Sequence, residues 1–158
     1  MLTLQPMIMA DADKMLVWKN YPETRRFAIV SHDEIKLEDH LKWLKNNIQY
    51  FQIILCDGEV CGAVRVQDNE ISIWIDRAFW GKGIAAGTIK KISKKGFTAK
   101  IVEGNIASMR CFIKAKYEPC EYVLGEGKQM TEGIIYTAEN VEKLSHQASY
   151  YVFKYARS

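Results

Sequence analysis

Hydrophobic and polar residues follow a helical period in the first third of the chain. Leu37, Leu41, Leu44 and Ile48 are spaced four, three and four residues apart, as on one face of an α-helix. A shorter helix is predicted over residues 12–19, and the proline at position 22 ends it. Two helices are therefore expected before residue 50.

From Phe51 the pattern becomes that of strands joined by tight turns. Asp57-Gly58 and Asp68-Asn69 are turn signals between runs rich in β-branched residues. Strands are predicted over 2–5, 51–56, 60–66, 70–76, 99–103, 117–124 and 150–155. Helices are predicted over 84–95, 105–116 and near 137–148. This order predicts an α+β (mixed α/β) fold on a mixed, mainly antiparallel sheet, as one domain over residues 1–158.

Composition excludes several classes of protein. Of 158 residues, 48% are hydrophobic and 26% charged, and the net charge of +3 comes without a long basic block, so no nucleic acid partner is expected. No apolar run approaches the ~20 residues of a membrane span, and the N-terminus lacks a signal peptide. Cys56, Cys61, Cys111 and Cys120 match no zinc spacing, so no metal is expected and most of these thiols should be buried. A cytoplasmic location follows.

A glycine-containing loop is the first candidate for chemistry. The predicted strand 70–76 leads into Trp80-Gly81-Lys82-Gly83, and a helix begins directly afterwards. Free N–H groups in the first helical turn attract anions, and glycines let the backbone approach a phosphate closely. The alternative is an ordinary strand–turn–helix packing motif. The spacing fits neither a nucleotide-hydrolysing P-loop nor a dinucleotide fingerprint.

A second segment follows the next predicted strand and carries Asn105, Ser108, Phe112, Lys114 and Tyr117. It resembles the N-x-x-S-x-x-x-[FY]-x-K-x-x-[FY] segment of the GNAT acetyltransferase superfamily, and the glycine loop resembles its pyrophosphate loop. The resemblance covers residues 62–117. It implies two splayed central parallel strands flanked by helices, acetyl-CoA as co-substrate without a metal, and a small-molecule amine as acceptor.

The resemblance also implies a set of cofactor-binding residues. Backbone groups of Trp74 and Ile75 are expected to bind the pantetheine arm, and the loop from Trp80 to Ala86 the pyrophosphate. The full expected set is Trp74, Ile75, Trp80, Gly81, Lys82, Gly83, Ile84, Ala85, Ala86, Asn105, Ser108 and Phe112. Trp80 replaces the usual Arg or Gln, and Phe112 stands where many members carry an acidic tyrosine.

Catalytic roles are assigned to three residues as expectations. Ser108 is a candidate to assist the leaving thiolate, because Phe112 has no hydroxyl. Glu103 and Glu70, at the ends of the two splayed strands, are candidates for the base that deprotonates the amine. The alternative for both carboxylates is a solvated position at a strand end.

The N-terminal segment gives the clue to the acceptor. Residues 16–26 and 37–43 resemble a GNAT subgroup that acetylates nucleotide-linked amino sugars and, more loosely, ribosomal-protein N-terminal and spermidine acetyltransferases. Cationic side chains can pair with a substrate pyrophosphate, and an aromatic ring can stack on a base or sugar. The expected acceptor-binding residues are Trp18, Lys19, Arg25, Arg26 and His32.

Other functions remain open at this level. A protein N-terminal or polyamine acetyltransferase is one alternative, and a non-catalytic CoA-binding module is another. A homodimer is also left open. The segment 125–148 is longer than a usual hairpin connection and is expected to cover the acceptor site or a subunit interface.

Overall fold

The computed structural model of the protein describes residues 1–29, 32–125 and 148–157. Within these residues seven strands form one sheet in the order β1-β2-β3-β4-β5-β7-β6. The strands are β1 (Leu2–Pro6), β2 (Phe51–Cys56), β3 (Glu59–Gln67), β4 (Glu70–Ile75), β5 (Thr98–Val102), β6 (Tyr117–Val123) and β7 (Tyr150–Tyr155). The helices are α1 (Ala12–Asn20), α2 (Pro22–Arg26), α3 (Leu37–Asn47), α4 (Ile84–Ile92) and α5 (Ile106–Lys114). The predicted α+β fold is confirmed.

Strands β2, β3 and β4 follow one another through two tight turns. Both turns need left-handed backbone: φ is +51° at Asp57 and +83° at Gly58, and +52° at Asp68 and +63° at Asn69. Consecutive positive φ values are those of hairpin turns whose twist matches that of the strands. The turn signals therefore give the antiparallel registers β2–β3 and β3–β4.

The centre of the sheet holds its parallel pair, β4 and β5. Only one pair of residues, Glu70 and Thr98, is in register between them. Beyond this point the strands separate, and β5 pairs on its other side with β7 over five residues. The sheet is thus antiparallel apart from a splayed parallel pair.

Each face of the sheet carries its own hydrophobic core. One core includes Val64, Ile71 and Ile101 and packs against α4 and α5. The other includes Phe51, Ile53 and Ala63 and packs against α1 and α3. Alternate residues of a strand point to opposite faces, which explains why Ala63 and Val64 belong to different cores.

Two details differ from the prediction. The proline that ends α1 starts α2 directly, since proline is well suited to the first helical turn. In α3 the buried residues are His40 and Leu44, whereas Leu37 is 49% exposed and Leu41 37% exposed. The face of α3 that packs against the core therefore differs from the face, carrying Leu37 and Leu41, that the spacing predicted. The helix predicted near 137–148 lies, apart from Ala148, outside the described residues.

Candidate active site

The gap between β4 and β5 is bordered by an unpaired edge of β4. The carbonyl of Asn69 accepts a hydrogen bond from the N–H of Thr98 at 2.9 Å, so that carbonyl points toward β5. The N–H of Asp76 donates a hydrogen bond to the carbonyl of Cys61 on β3 at 2.8 Å, so the backbone of Asp76 points toward β3. Backbone groups alternate along a strand, so Ile73 and Ile75 direct theirs into the gap.

This alternation corrects the expected pantetheine contacts. Trp74 is in register with Ala63, and its backbone groups point to β3 rather than to the gap. The carbonyl of Ile75 accepts a hydrogen bond from Nε1 of Trp80 at 2.8 Å. The edge available to an extended ligand is thus formed by Ile73 and the N–H of Ile75. Sequence analysis missed Ile73 because the sequence does not show which backbone groups of β4 face the gap. The hydrogen bond between Asn69 and Thr98 decides that the odd-numbered residues do.

The glycine loop between β4 and α4 has the conformation that an anion-binding turn requires. Gly81 has φ +77°, and Gly83, the N-cap of α4, has φ +73°. A Cβ added at either glycine would meet no atom within 4 Å, so the backbone here is open to a ligand. The first turn of α4 holds Ile84, Ala85 and Ala86, whose N–H groups have no partner within the helix. Lys82 is exposed beside them and lies over the ring of Phe79.

Helix α5 begins at the open end of the gap. Asn105 is its N-cap, and Oδ1 of Asn105 accepts a hydrogen bond from the N–H of Ser108 at 3.3 Å. Ser108 itself is half-buried. Phe112 is 3% exposed and packs edge-on against Tyr117 at 5.0 Å between ring centroids. Phe112 is therefore part of the core.

The two candidate bases lie in different places. Glu70 is at the closed end, in register with Thr98, and binds Nζ of Lys100 at 3.2 Å. It is separated from Trp74 by four residues, or about 13 Å of strand. Glu70 is thus engaged by Lys100 at the closed end, and its expected role toward the acceptor stays a prediction. Glu103 directly follows β5 at the open end and is exposed, and its N–H donates to the carbonyl of Ser149.

The predicted acceptor residues do not form one surface. Trp18 is 1% exposed and donates its indole N–H to Asp76 at 3.0 Å, so it belongs to the core and cannot stack on a substrate. Arg25 is half-buried and binds the carbonyl of Asn20 through Nε at 3.2 Å. Arg26 is exposed, with its guanidinium 5.2 Å from the ring of Phe27.

The remaining two acceptor candidates differ in burial. His32 is exposed, and its Nε2 lies 3.0 Å from the carbonyl of Ala28. Lys19 is half-buried, and its Nζ lies 3.7 Å from the ring centroid of Trp43.

An added Cβ at Gly104 would lie 4.0 Å from the ring of Phe27. The end of α2 therefore approaches the open end of the gap.

A cluster that sequence analysis did not predict joins α2 to the glycine loop. Arg77 binds Glu23 at 2.7 Å, and its guanidinium lies 4.3 Å from the ring of Tyr21 and 5.4 Å from that of Trp80. Tyr21 and Trp80 meet edge-on at 5.9 Å. The adjacent Tyr21-Pro22-Glu23 was visible only as a helix break. Its partner Arg77 is 54 residues away in sequence.

The four cysteine thiols differ in burial. Cys61 is buried, Cys56 and Cys111 are half-buried and Cys120 is exposed, so burial is less complete than expected. Burial raises the pKa of the Cys61 thiol to about 11, and the pKa of the Cys111 thiol is raised for the same reason. Among the described residues no group of three or more His, Cys, Asp or Glu side chains could hold a metal ion. No helix in the described ranges is both long and apolar enough to cross a bilayer.

Comparison with known proteins agrees with this geometry. Residues 1–118 match the family model of the acetyltransferase (GNAT) domain. The chain belongs to the GNAT acetyltransferase domain family. An uncharacterised protein of Methanocaldococcus jannaschii is 28% identical over 120 residues, which are 65% of this chain and 25% of that protein. The chain thus spans about a quarter of the length of that relative.

Solved structures show the same GNAT fold. Ribosomal-protein-alanine N-acetyltransferase from Brucella melitensis superposes with a TM-score of 0.67 at 17% identity, covering 96% of this chain and 97% of that one. The microcin C7 self-immunity acetyltransferase MccE, in complex with acetyl-CoA and AMP, gives a TM-score of 0.65 at 12% identity. That match covers 96% of this chain and 90% of MccE.

Proposed function

We propose that the chain is an acetyl-CoA-dependent N-acetyltransferase that acts on a primary amine. The observation that carries the proposal is the gap after the single Glu70–Thr98 pair, bordered by the free edge of β4 and the open glycine loop. An extended arm can add to a free strand edge, and a pyrophosphate can bind the N-terminus of α4. Membership of the GNAT domain family and the acetyl-CoA complex of MccE support the same ligand.

The reaction in this proposal is one direct displacement. The amine nitrogen attacks the thioester carbonyl carbon, a C–N bond forms, and the C–S bond breaks with the electron pair leaving on sulfur. The extra proton on the acylated nitrogen then passes to the thiolate, which gives the neutral amide and free CoA thiol. Glu103, at the open end of the gap, accepts the proton that the ammonium loses. Ser108 donates a hydrogen bond to the departing thiolate. A thiol pKa near 8.5 makes this leaving group moderately good without a stronger acid.

Binding of acetyl-CoA is tested by calorimetry on Gly83→Val. The β-branched side chain opposes the left-handed φ of Gly83 and blocks the approach of a phosphate. We expect micromolar affinity, roughly −8 kcal/mol, for the wild type and a loss of tenfold or more for Gly83→Val. Gly58→Val is the control, because Gly58 has a similar φ and equally open surroundings but lies in the β2–β3 turn. Equal affinity in both folded variants would remove the loop from the binding site.

Transfer is tested by release of free thiol from acetyl-CoA over a panel of amines. Release that depends on an added amine supports an enzyme. Binding of acetyl-CoA with no release for any amine favours the non-catalytic module instead.

We further propose an amine on a nucleotide-linked sugar as the acceptor. The exposed Arg26, at the end of α2 that approaches the open end of the gap, supports this choice, because it supplies a cationic group for a pyrophosphate. The AMP bound to MccE shows that the same fold accommodates a nucleotide. A peptide N-terminus is the second candidate, supported by the likeness to the Brucella enzyme. A UDP-linked 4-amino sugar, an N-terminal peptide and spermidine, compared under equal conditions, distinguish these classes.

A further inference from the structure

Two cations border one aromatic pair, Trp43 and Phe51, between the sheet and helices α1 and α3. Lys19, on α1, is half-buried, with Nζ 3.7 Å from the ring centroid of Trp43. Burial first, and then the positive charge of Arg65, lower the pKa of Lys19 to about 8. Trp43 packs edge-on against Phe51 at 5.5 Å between ring centroids, and Phe51 is in register with Arg65, so the two cations border the same pair of aromatic rings.

Arg65 occupies the middle of β3, on the same face as Ala63. It is in register with Phe51 on one side and with Ser72 on the other. Its Nε is buried and donates no hydrogen bond. A buried donor without an acceptor is costly, so most such groups in proteins find a partner.

No side-chain carboxylate within residues 1–29, 32–125 and 148–157 forms an ion pair with either cation. The ion pairs of this part of the chain use the N-terminus, Arg77 and Lys100 instead. His40, which stacks on Trp43, is neutral or cationic and so cannot supply a negative charge.

We propose that Lys19 and Arg65 bind an anionic group of the acceptor, a carboxylate or a phosphate. A guanidinium and an ammonium on opposite sides of an oxyanion would remove their mutual repulsion and give charge-assisted hydrogen bonds. The hydroxyl of Ser72, directly across from Arg65, is available as a further donor. The inference rests on the proposed acetyl transfer for the identity of the ligand as acceptor.

The position of this pair limits the size of the acceptor. Ser72 and Trp74 lie on the same face of β4, two residues apart, which is about 7 Å along the strand. Trp74 stands next to the widening part of the gap, with its ring 5.8 Å from that of Phe51. The anion and the amine are therefore expected within one short molecule or within one end of a longer one.

The first test measures anion binding without acetyl transfer. The thermal midpoint is followed as inorganic phosphate, or acetate in a parallel series, replaces chloride at constant ionic strength. Phosphate can also bind the glycine loop, so every variant is made in the Gly83→Val background. We expect a concentration-dependent rise that Lys19→Met and Arg65→Met each abolish and that Lys14→Met, an exposed lysine on the same helix, keeps.

Each result of the anion series either supports or overturns the proposal. A rise with phosphate alone identifies a phosphate ligand, and a rise with acetate alone identifies a carboxylate. No rise, or the same rise in Lys19→Met and Lys14→Met, overturns the proposal. Because neither coenzyme nor amine is present, this outcome is independent of whether the chain is an acetyltransferase.

The second test uses turnover with matched amines. O-phosphoethanolamine and β-alanine are compared with propylamine, which has no anionic group. If phosphate raised the thermal midpoint, we expect O-phosphoethanolamine to have a higher kcat/KM than propylamine. If acetate raised it, we expect the same of β-alanine. Lys19→Met and Arg65→Met should raise the KM of that acidic amine about tenfold and leave propylamine unchanged. An equal effect on propylamine would assign the two residues to folding rather than to the acceptor.

Discussion

Position 112 holds a buried phenylalanine, which has no hydroxyl to offer a leaving thiolate. Phe112 is 3% exposed against Tyr117, so it offers neither an acid nor a route for water. Ser108 precedes it by one turn of α5 and is only half-buried. Because the Asn105 cap holds the N–H of Ser108, the start of α5 fixes where the hydroxyl stands. The proposed mechanism therefore assigns the thiolate to the hydroxyl of Ser108.

We expect Ser108→Ala to lower kcat about tenfold or more at saturating acetyl-CoA, since a hydrogen bond that forms as charge develops is lost. Ser93→Ala is the matched control. Its Oγ is hydrogen-bonded to the Tyr117 hydroxyl at 2.6 Å, so this change should cost about 1 kcal/mol of stability and leave kcat intact. Steady-state kinetics and urea unfolding of both variants measure the difference. Full kcat in Ser108→Ala would mean that the thiolate leaves without this hydroxyl.

His40 connects a buried residue to the pH dependence of folding. It is 1% exposed, and its Nε2 binds the carbonyl of Ala12 at 3.1 Å. Burial, and then the charge of Lys19, lower the pKa of His40, while the Ala12 carbonyl and Asp13 act in the opposite direction. The folded state therefore favours neutral His40, whereas the unfolded chain takes up a proton near its ordinary pKa of 6.5.

Stability should accordingly fall as the pH drops below about 6.5, because the unfolded state then binds more protons than the folded one. We expect His40→Met to reduce this loss of stability between pH 7 and pH 5. Urea unfolding of the wild type and the variant at both pH values measures it. Identical pH dependence in the two proteins would show that His40 is protonated equally in both states.

Gly62 of β3 leaves no room for a side chain against β4. A Cβ at Gly62 would lie 2.2 Å from the carbonyl oxygen of Trp74, and a backbone atom cannot move aside cheaply. Gly62 is also in register with Ile75, whose N–H borders the gap. This contact thus sets both the pairing of two strands and the position of the ligand-binding edge.

We expect Gly62→Ala to destabilise the fold by about 2–3 kcal/mol and to weaken acetyl-CoA binding several-fold. Gly87→Ala is the control: its Cβ would meet only the end of the flexible Leu2 side chain, at 2.8 Å. In addition, alanine is favoured over glycine inside α4 by up to ~1 kcal/mol. Unfolding and calorimetry on both variants test the contrast. A Gly62→Ala protein as stable as Gly87→Ala would exclude the steric argument.

Across the whole molecule, local patterns predicted the elements better than their arrangement. Turn signals at Asp57-Gly58 and Asp68-Asn69 were enough for the hairpins, because such turns depend on neighbouring residues. Sequence order could not place β7, from the end of the chain, between β5 and β6. Nor could it show that Glu70 would bind Lys100 at the closed end, or that Lys19 would lie over the ring of Trp43. Those contacts depend on register and on packing across elements distant in sequence.

The cluster of Tyr21, Glu23, Arg77 and Trp80 links the two halves of the candidate site. Arg77 joins α2, near the expected acceptor, to the loop that precedes α4. The ion pair is exposed, so it contributes little to global stability, on the order of 0–1 kcal/mol. Its main effect is to fix where the two loops lie relative to each other.

We therefore expect Arg77→Ala to weaken the binding of both ligands. The Kd for acetyl-CoA and the KM for the acceptor should rise about threefold or more, with little change in thermal stability.

Arg26→Ala provides the contrast, because Arg26 is exposed at the end of α2 and contacts only the ring of Phe27 among the interactions described. It should raise the acceptor KM about tenfold and leave the acetyl-CoA Kd unchanged, since a charge-assisted contact to an anionic acceptor is lost. Calorimetry with acetyl-CoA and steady-state kinetics with the acceptor measure the two constants separately. If Arg77→Ala changed only one of them, the cluster would serve that single ligand, and the two halves of the site would be independent.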